Sequence, residues 1–403
     1  MYRNLLSNKE FLKVYSSTCI STFGDNIDDV AFALLVYEIS GSTFIMSYVF
    51  AIKIIFSFIS IFTATLADRF DKRKFVFIGE VSQAIMLLII IVIGRYYEIN
   101  TGVLLLFTTI QAIFSTIAMP AKTALTMLSI DKKFIVEAKS LLGVSTQLIQ
   151  VFSYGISAIL IKEIGVFKIL FIDSMTFIVS GIIFLSLKYN KQSTPYKKLS
   201  EFKYDIKVGI KFVAESDIIK AILILAFMGN VLTAPIQALM PAYFSENNAS
   251  KSLYSIFLCI LSMGAMIVSY KIPKICEKVS EKKLLLIGFT IGGIGSILLM
   301  YYSNILVIVA AILIGSSFSL VSVLNSTILQ RVTPDEMLGR VFSIFKSISY
   351  LSAPFGMMCS GILGEYISIN LIFLFCGIIM LILLNLYKSK FDVKIFNEIN
   401  LEN

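Results

Sequence analysis

Histidine and tryptophan are both absent from this chain of 403 residues. Without His the sequence lacks the commonest metal ligand and the side chain that ordinarily titrates near neutral pH, so any proton chemistry has to run through carboxylates. Cysteine is scarce as well. Cys19, Cys259, Cys276, Cys359 and Cys376 are odd in number, widely spaced, and each lies within or at the end of an apolar run. That pattern offers neither a disulfide framework nor a zinc site and reads as reduced, structural thiols. No Gly-rich phosphate-binding loop occurs, which leaves an ion gradient as the expected energy source and no cofactor. Charge is thin too: 15% of residues are charged against 57% hydrophobic, with a mean hydropathy of +0.86. A chain so composed has too little polar surface to cover a soluble globule, so an integral membrane protein is expected, and neither an enzyme nor a nucleic-acid binder. The net charge of +9 does not change this, because the bases lie between the apolar runs instead of forming one basic domain.

What is present is a series of twelve apolar segments, near 14–38, 43–67, 75–94, 102–125, 140–161, 167–187, 218–243, 253–272, 284–302, 305–329, 338–366 and 370–387. Each is long enough for about 20 residues of helix across a hydrocarbon core of roughly 30 Å. The first is interrupted by acids and lacks a small-residue cleavage site, so it reads as a retained anchor, not a signal peptide. Lys and Arg divide unevenly around the segments. Arg95, Lys162, Lys168 and Lys251 fall on one side, Lys53 lies inside the second segment, and all the others fall on the opposite side. The positive-inside rule then predicts a multi-pass protein of the inner, plasma membrane with both termini cytoplasmic. Asn248-Ala249-Ser250 formally matches a glycosylation triplet, but the chain reads as bacterial.

The longest polar stretch, from Lys188 to Lys220, carries an amphipathic run through Phe202, Ile206, Ile210 and Val213. It divides the chain into a six-helix bundle over 1–187, a cytoplasmic linker with an amphipathic helix over 188–217, and a second six-helix bundle over 218–403. A basic amphipathic helix can bind anionic lipid, but a linker lying on the membrane surface is the simpler reading. An internal repeat agrees with the division. Ala67 to Gly79 aligns without gaps with Cys276 to Gly288, and Leu128 to Phe134 resembles Val332 to Leu338. Two similar halves related by a pseudo-twofold axis are the mark of a secondary transporter whose site lies near the midplane.

The motifs around these repeats resemble the major facilitator superfamily. Asp68, Arg69, Asp71, Lys72 and Arg73 stand in register with that superfamily's first signature, with Ala64 in place of its first Gly. Gln330 to Gly339, followed by Arg340, is similar to the branch that contains macrolide-efflux and multidrug exporters, as are Gly24-Asp25, Val36 to Ser42, Ala234 to Pro241 and Ala353 to Gly356. The resemblance implies an all-α membrane protein of twelve transmembrane helices in two pseudo-symmetric bundles. It also implies a cytoplasmic gate in which Asp68, with Arg69, Asp71 and Arg73 beside it, latches to the region of Gly339 and Arg340. Thr333, Pro334 and Glu336 read as a capping box opening that helix, with Pro at its first position.

Within the first segment, Asp25, Asp28 and Asp29 are spaced three and four residues apart, so they form a narrow acidic stripe on a helix otherwise apolar. Ionised groups in a bilayer cost at least a few kcal/mol each by insertion scales, and they normally face a cavity, pair or carry protons. Counting outward from a turn near Gly41 sets Lys53 at the depth of Asp28, which predicts a charge network of Lys53, Asp25 and either Asp28 or Asp29. One lysine cannot neutralise three acids, so at least one is expected to hold a proton, with Asp25 and Asp28 favoured over Asp29. Gln111 stands where many drug:proton antiporters of the superfamily carry an Arg. Asp173 is expected to make structural hydrogen bonds, Lys346 to be a gate or interface charge, and Glu38, Glu80 and Glu365 to be interfacial.

The corresponding helix of the second half carries Asn230, Thr233 and Gln237 where the first has acids. An acidic wall facing an amide-lined one suits a small hydrophobic or amphiphilic substrate, cationic in one version, better than a sugar. The function read from the sequence is therefore a monomeric, proton-coupled antiporter exporting drug- or macrolide-type compounds by alternating access. A lipid or lysolipid flippase, a nutrient importer and a non-transport receptor or scaffold are the alternatives.

Overall fold

The computed structural model describes residues 2–67, 71–130, 134–188 and 199–391. Among these residues there are fourteen helices and no strands. A short α1 (Tyr2–Ser7) precedes α2 (Lys9–Ser40), α3 (Thr43–Ala67), α4 (Lys72–Tyr96), α5 (Thr101–Leu128), α6 (Ile135–Glu163) and α7 (Val166–Leu185). Then come α8 (Leu199–Glu215), α9 (Asp217–Glu246), α10 (Lys251–Cys276), α11 (Glu281–Leu298), α12 (Asn304–Val332), α13 (Asp335–Gly364) and α14 (Ile369–Phe391). Every one of the twelve apolar segments is a helix. By length and composition, seven of the described helices can cross a membrane, and three shorter apolar helices accompany them.

The helices outrun the apolar segments at their polar ends, because side-chain caps hold turns that hydropathy alone does not mark. Asn8 accepts from the backbone N–H groups of Glu10 and Phe11 at 3.0 and 3.2 Å, so α2 starts five residues before its apolar run. Asp71 caps α4 and Asn100 caps α5 in the same way. The turn between α2 and α3 is closed by Gly41 at φ +60°, a left-handed conformation that glycine takes without steric cost, and its N–H bonds the Tyr37 carbonyl. Where α13 begins, the capping box does not form. Thr333 instead donates its hydroxyl back to the Leu329 carbonyl at 2.6 Å, and Pro334, not Thr333, is the residue that precedes the helix. The Thr333 hydroxyl is thus turned back onto the helix that ends there, as Ser and Thr side chains do when they bond the i−4 carbonyl.

The chain forms two compact units, residues 1–196 with 244–259, and 197–243 with 260–403. In the first unit α2 packs on α6 and α7, α3 on α5, and α4 on α5 and α7. The first turns of α10 belong to this unit as well, because Ser252 Oγ donates to the Ala158 carbonyl at 2.9 Å and Lys251 pairs with Glu38. In the second unit α11 packs on α12 and α14, and α8 packs on α13. The amphipathic helix thus has a protein partner. Phe212 and Val213 of α8 join a core of Ile219, Ile222, Ile328, Leu329 and Val341, and Gly209 lies against Arg340 and Ile344.

Candidate functional site

The acidic stripe lies well inside α2. Asp29 is eleven residues before Ser40 and Lys53 is ten after Thr43, which sets both roughly 15 Å from the α2–α3 turn at 1.5 Å per residue. Lys53 Nζ donates to Asp29 Oδ1 at 2.9 Å, and the ammonium also sits 5.5 Å from the ring centroid of the buried Phe32. Of the two acids the sequence left open as partners of Lys53, the ion pair is made by Asp29. The depth count was sound to one residue, but successive residues on a helix point about 100° apart, and depth carries no information on azimuth.

Asp28 turns the other way. It is 4% exposed, and its Oδ1 has no hydrogen-bond partner; neither does the neighbouring Asn26 Nδ2. Asp25 is exposed and accepts from Ser21 Oγ at 3.4 Å. A fourth carboxylate joins from α7. Asp173 is fully buried, with Oδ1 accepting from Thr176 Oγ1 at 2.9 Å while Oδ2 has no partner. Its structural hydrogen bond is thus real, but only half of the carboxylate is satisfied. A Cβ on Gly24 would fall 2.0 Å from Thr176 Oγ1 and 2.2 Å from Asp173 Oδ1, so only glycine lets α2 and α7 approach closely enough to bring Asp173 beside the stripe.

A second pair lies beneath the first. Lys122 of α5 donates to Glu80 Oε1 of α4 at 3.0 Å and to Ser21 Oγ at 2.9 Å. Ser21 in turn reaches Asp25, so the two charged groups are joined through one hydroxyl. Glu80 is 2% exposed, not interfacial, and its Oε2 is unpartnered. The sequence reading missed Lys122 and misplaced Glu80 for one reason. The capped start at Asp71 and the long end of α5 extend both helices, so Glu80 stands about 12 Å into α4 and Lys122 about 9 Å from the end of α5. Gln111 is buried on α5 and makes no hydrogen bond to these acids among the described residues.

Of the gate residues, Asp68 and Arg69 lie outside the described residues. Asp71 caps α4 and is held by Arg73, whose Nη2 and Nε reach it at 2.8 and 3.2 Å, while Arg73 Nη1 donates to the Leu187 carbonyl at 2.9 Å. This arrangement ties the start of α4 to the end of α7. In the second unit Gly339 has open space around it, and Arg340 Nη1 lies 3.4 Å from Met337 Sδ.

The second unit contains a cavity of about 310 Å³, lined by Asn230 and Thr233 of α9, Phe289 of α11, Ser317, Phe318 and Asn325 of α12, and Lys346 and Tyr350 of α13. Asn230 lines this cavity. Gln237 is exposed and does not line it, being two turns further along the same face of α9. Lys346, expected as a gate or interface charge, belongs to the cavity wall. No group of three or more Cys, Asp or Glu among the described residues is arranged to hold a metal ion.

Residues 4–403 match the family described as transmembrane secretion effector. The chain is 24% identical over 408 aligned positions to the uncharacterized MFS-type transporter YfiS of Bacillus subtilis (strain 168), covering 97% of this chain and 95% of that one. It is 20% identical to macrolide efflux protein A of Streptococcus pyogenes, over 92% of this chain and 93% of the relative. Among solved structures, the nucleoside transporter NupG superposes with a TM-score of 0.79 at 12% identity, covering 96% of this chain and all of that one, which is a likeness of fold. A multi-pass helical chain with charged residues inside its helices, matching one family over nearly its whole length, belongs to the transmembrane secretion effector family of major facilitator superfamily transporters.

Proposed function

We propose that this transporter is a proton-coupled exporter of hydrophobic or amphiphilic compounds, working by alternating access in the bacterial plasma membrane with both termini in the cytoplasm. The observation that carries the reading is the charge imbalance inside α2. Of the three acids Asp25, Asp28 and Asp29, Lys53 engages Asp29, and Lys122 reaches Asp25 only through Ser21. Asp28 and Asp173 are buried, each with one oxygen that has no partner among the described residues, which leaves each an open acceptor position within the helices. Protons entering from outside would load Asp25 and Asp28 as substrate leaves, and their release inside would reset the site. The macrolide-efflux relative supports export of drug-type molecules.

The test is extrusion of a fluorescent dye or a macrolide driven by a pH gradient, comparing wild type with Asp25→Asn, Asp28→Asn and Asp29→Asn. Loss of gradient-driven extrusion by at least one order of magnitude in Asp25→Asn or Asp28→Asn is expected. Undiminished pumping by all three variants and by the triple variant would remove the stripe from the coupling mechanism.

A further inference from the structure

The cavity of the second unit has a charge character opposite to that of the acidic stripe. Six of its side chains, Asn230, Ser317, Ser322, Asn325, Lys346 and Tyr350, make no side-chain hydrogen bond among the described residues. Asn325 is 2% exposed and its Oδ1 has no partner among the described residues, so a buried acceptor at the cavity wall is open to an N–H or O–H donor on the body of a bound molecule. Buried amides are normally satisfied, and one that is not points to a missing partner. Lys346 makes no ion pair among the described residues. Among the described side chains of this unit the acids lie at helix ends, at Glu215, Asp217, Glu277, Glu281, Asp335, Glu336 and Glu365, and none of them lines the cavity. Phe289, Phe318, Phe345 and Met380 supply the apolar part of the wall. A concave site of this size, largely apolar with a few convergent polar groups, is the usual form of a small-molecule pocket.

We propose that this cavity holds the anionic end of the transported molecule, a carboxylate on an aromatic or otherwise apolar body. The Lys346 ammonium, the Asn230 amide N–H and the Tyr350 hydroxyl can donate to a carboxylate, while Asn325 Oδ1 accepts from a donor on the body, which the ring-lined wall takes. A cationic end would meet Lys346 with no carboxylate to offset the repulsion. The inference rests on the exporter reading and narrows it from amphiphiles in general to organic anions and zwitterions.

The experiment is equilibrium binding by titration calorimetry to the full chain in phosphatidylcholine nanodiscs, with no pH gradient. The probes are 2-naphthylacetate, its neutral amide 2-naphthylacetamide, and 2-naphthylethylammonium. Wild type is expected to bind the carboxylate roughly tenfold or more tightly than the amide, as a charge-assisted hydrogen bond allows, and the ammonium most weakly. Lys346→Gln should erase the carboxylate–amide gap and Lys346→Arg should keep it, with unchanged melting temperatures showing that both variants fold. The proposal is overturned if the carboxylate does not bind saturably, if amide and carboxylate bind equally, if the ammonium binds best, or if the preference survives Lys346→Gln. Failure here with intact gradient-driven extrusion would leave an exporter without an anion site. The opposite pattern would leave the anion site and remove proton coupling.

Discussion

The two units place their polar groups in opposite ways. In the first, charges inside the helices come in pairs that leave carboxylates over: Lys53 with Asp29, Lys122 with Glu80, and Asp25, Asp28 and Asp173 beyond them. In the second, the cavity is lined by neutral amides and hydroxyls with one cation among its lining residues, Lys346. A buried pair is costly to break but contributes little net stability, whereas an unpaired, solvent-reaching lysine contributes almost none. The difference separates a unit whose charges are interlocked from one whose polar groups are open to a ligand.

The strongest way to break this comparison is at the glycines of corresponding helices. Gly24→Ala forces a methyl group to within 2.0 Å of Thr176 Oγ1, whereas at Gly229 the same atom would meet only Phe289 at an ordinary 3.4 Å. Overpacking of this kind costs about 1–3 kcal/mol or more. Thermal unfolding in detergent should show Gly24→Ala several degrees below wild type and Gly229→Ala near it. Equal destabilisation would mean that α2 and α7 are no more tightly apposed than α9 and α11.

Removing lysines sharpens the contrast further. Lys122→Met leaves Glu80 buried without its cation and should cost about 1–3 kcal/mol, most of it recovered in the double variant Lys122→Met/Glu80→Gln. Lys346→Met, with no partner to orphan, should leave the melting temperature within error of wild type. The smallest effect belongs to Glu10. Burial acts to raise its carboxyl, but the Lys188 backbone N–H and the Lys13 ammonium outweigh it and hold it below the ordinary range. A lowered folded value stabilises above the unfolded value and loses that contribution as pH falls through the folded one. Glu10→Gln should therefore cost a few tenths of a kcal/mol at neutral pH, as exposed pairs do, and nothing in strong acid.

Hydropathy located the helices of all twelve apolar segments because burial in lipid leaves runs of about 20 apolar residues that nothing else in the chain imitates. The acidic stripe was legible for the complementary reason, since three acids in such a run stand out. What hydropathy does not encode is rotation about a helix axis, so the sequence left the partner of Lys53 open between Asp28 and Asp29. Nor does it register caps, and without the extra turns that Asp71 secures, Glu80 seemed to lie at the interface. The resemblance of Gly24-Asp25 to related exporters had no visible cause in sequence; the structure supplies one in the close approach of Asp173 and Thr176. Asn230 and Lys346 come together only because α9 and α13 flank one cavity, a long-range pairing that neither segment announces.

The most direct test of the account is proton movement itself. Purified protein in liposomes loaded with a pH-sensitive dye would be given an outward substrate gradient and no imposed pH gradient. Substrate efflux should draw protons the other way in wild type. In the triple variant Asp25→Asn/Asp28→Asn/Asp29→Asn, any remaining efflux should be uncoupled from proton flux. Substrate-driven proton flux of wild-type size in the triple variant would contradict the claim that the acids of α2 carry the coupling.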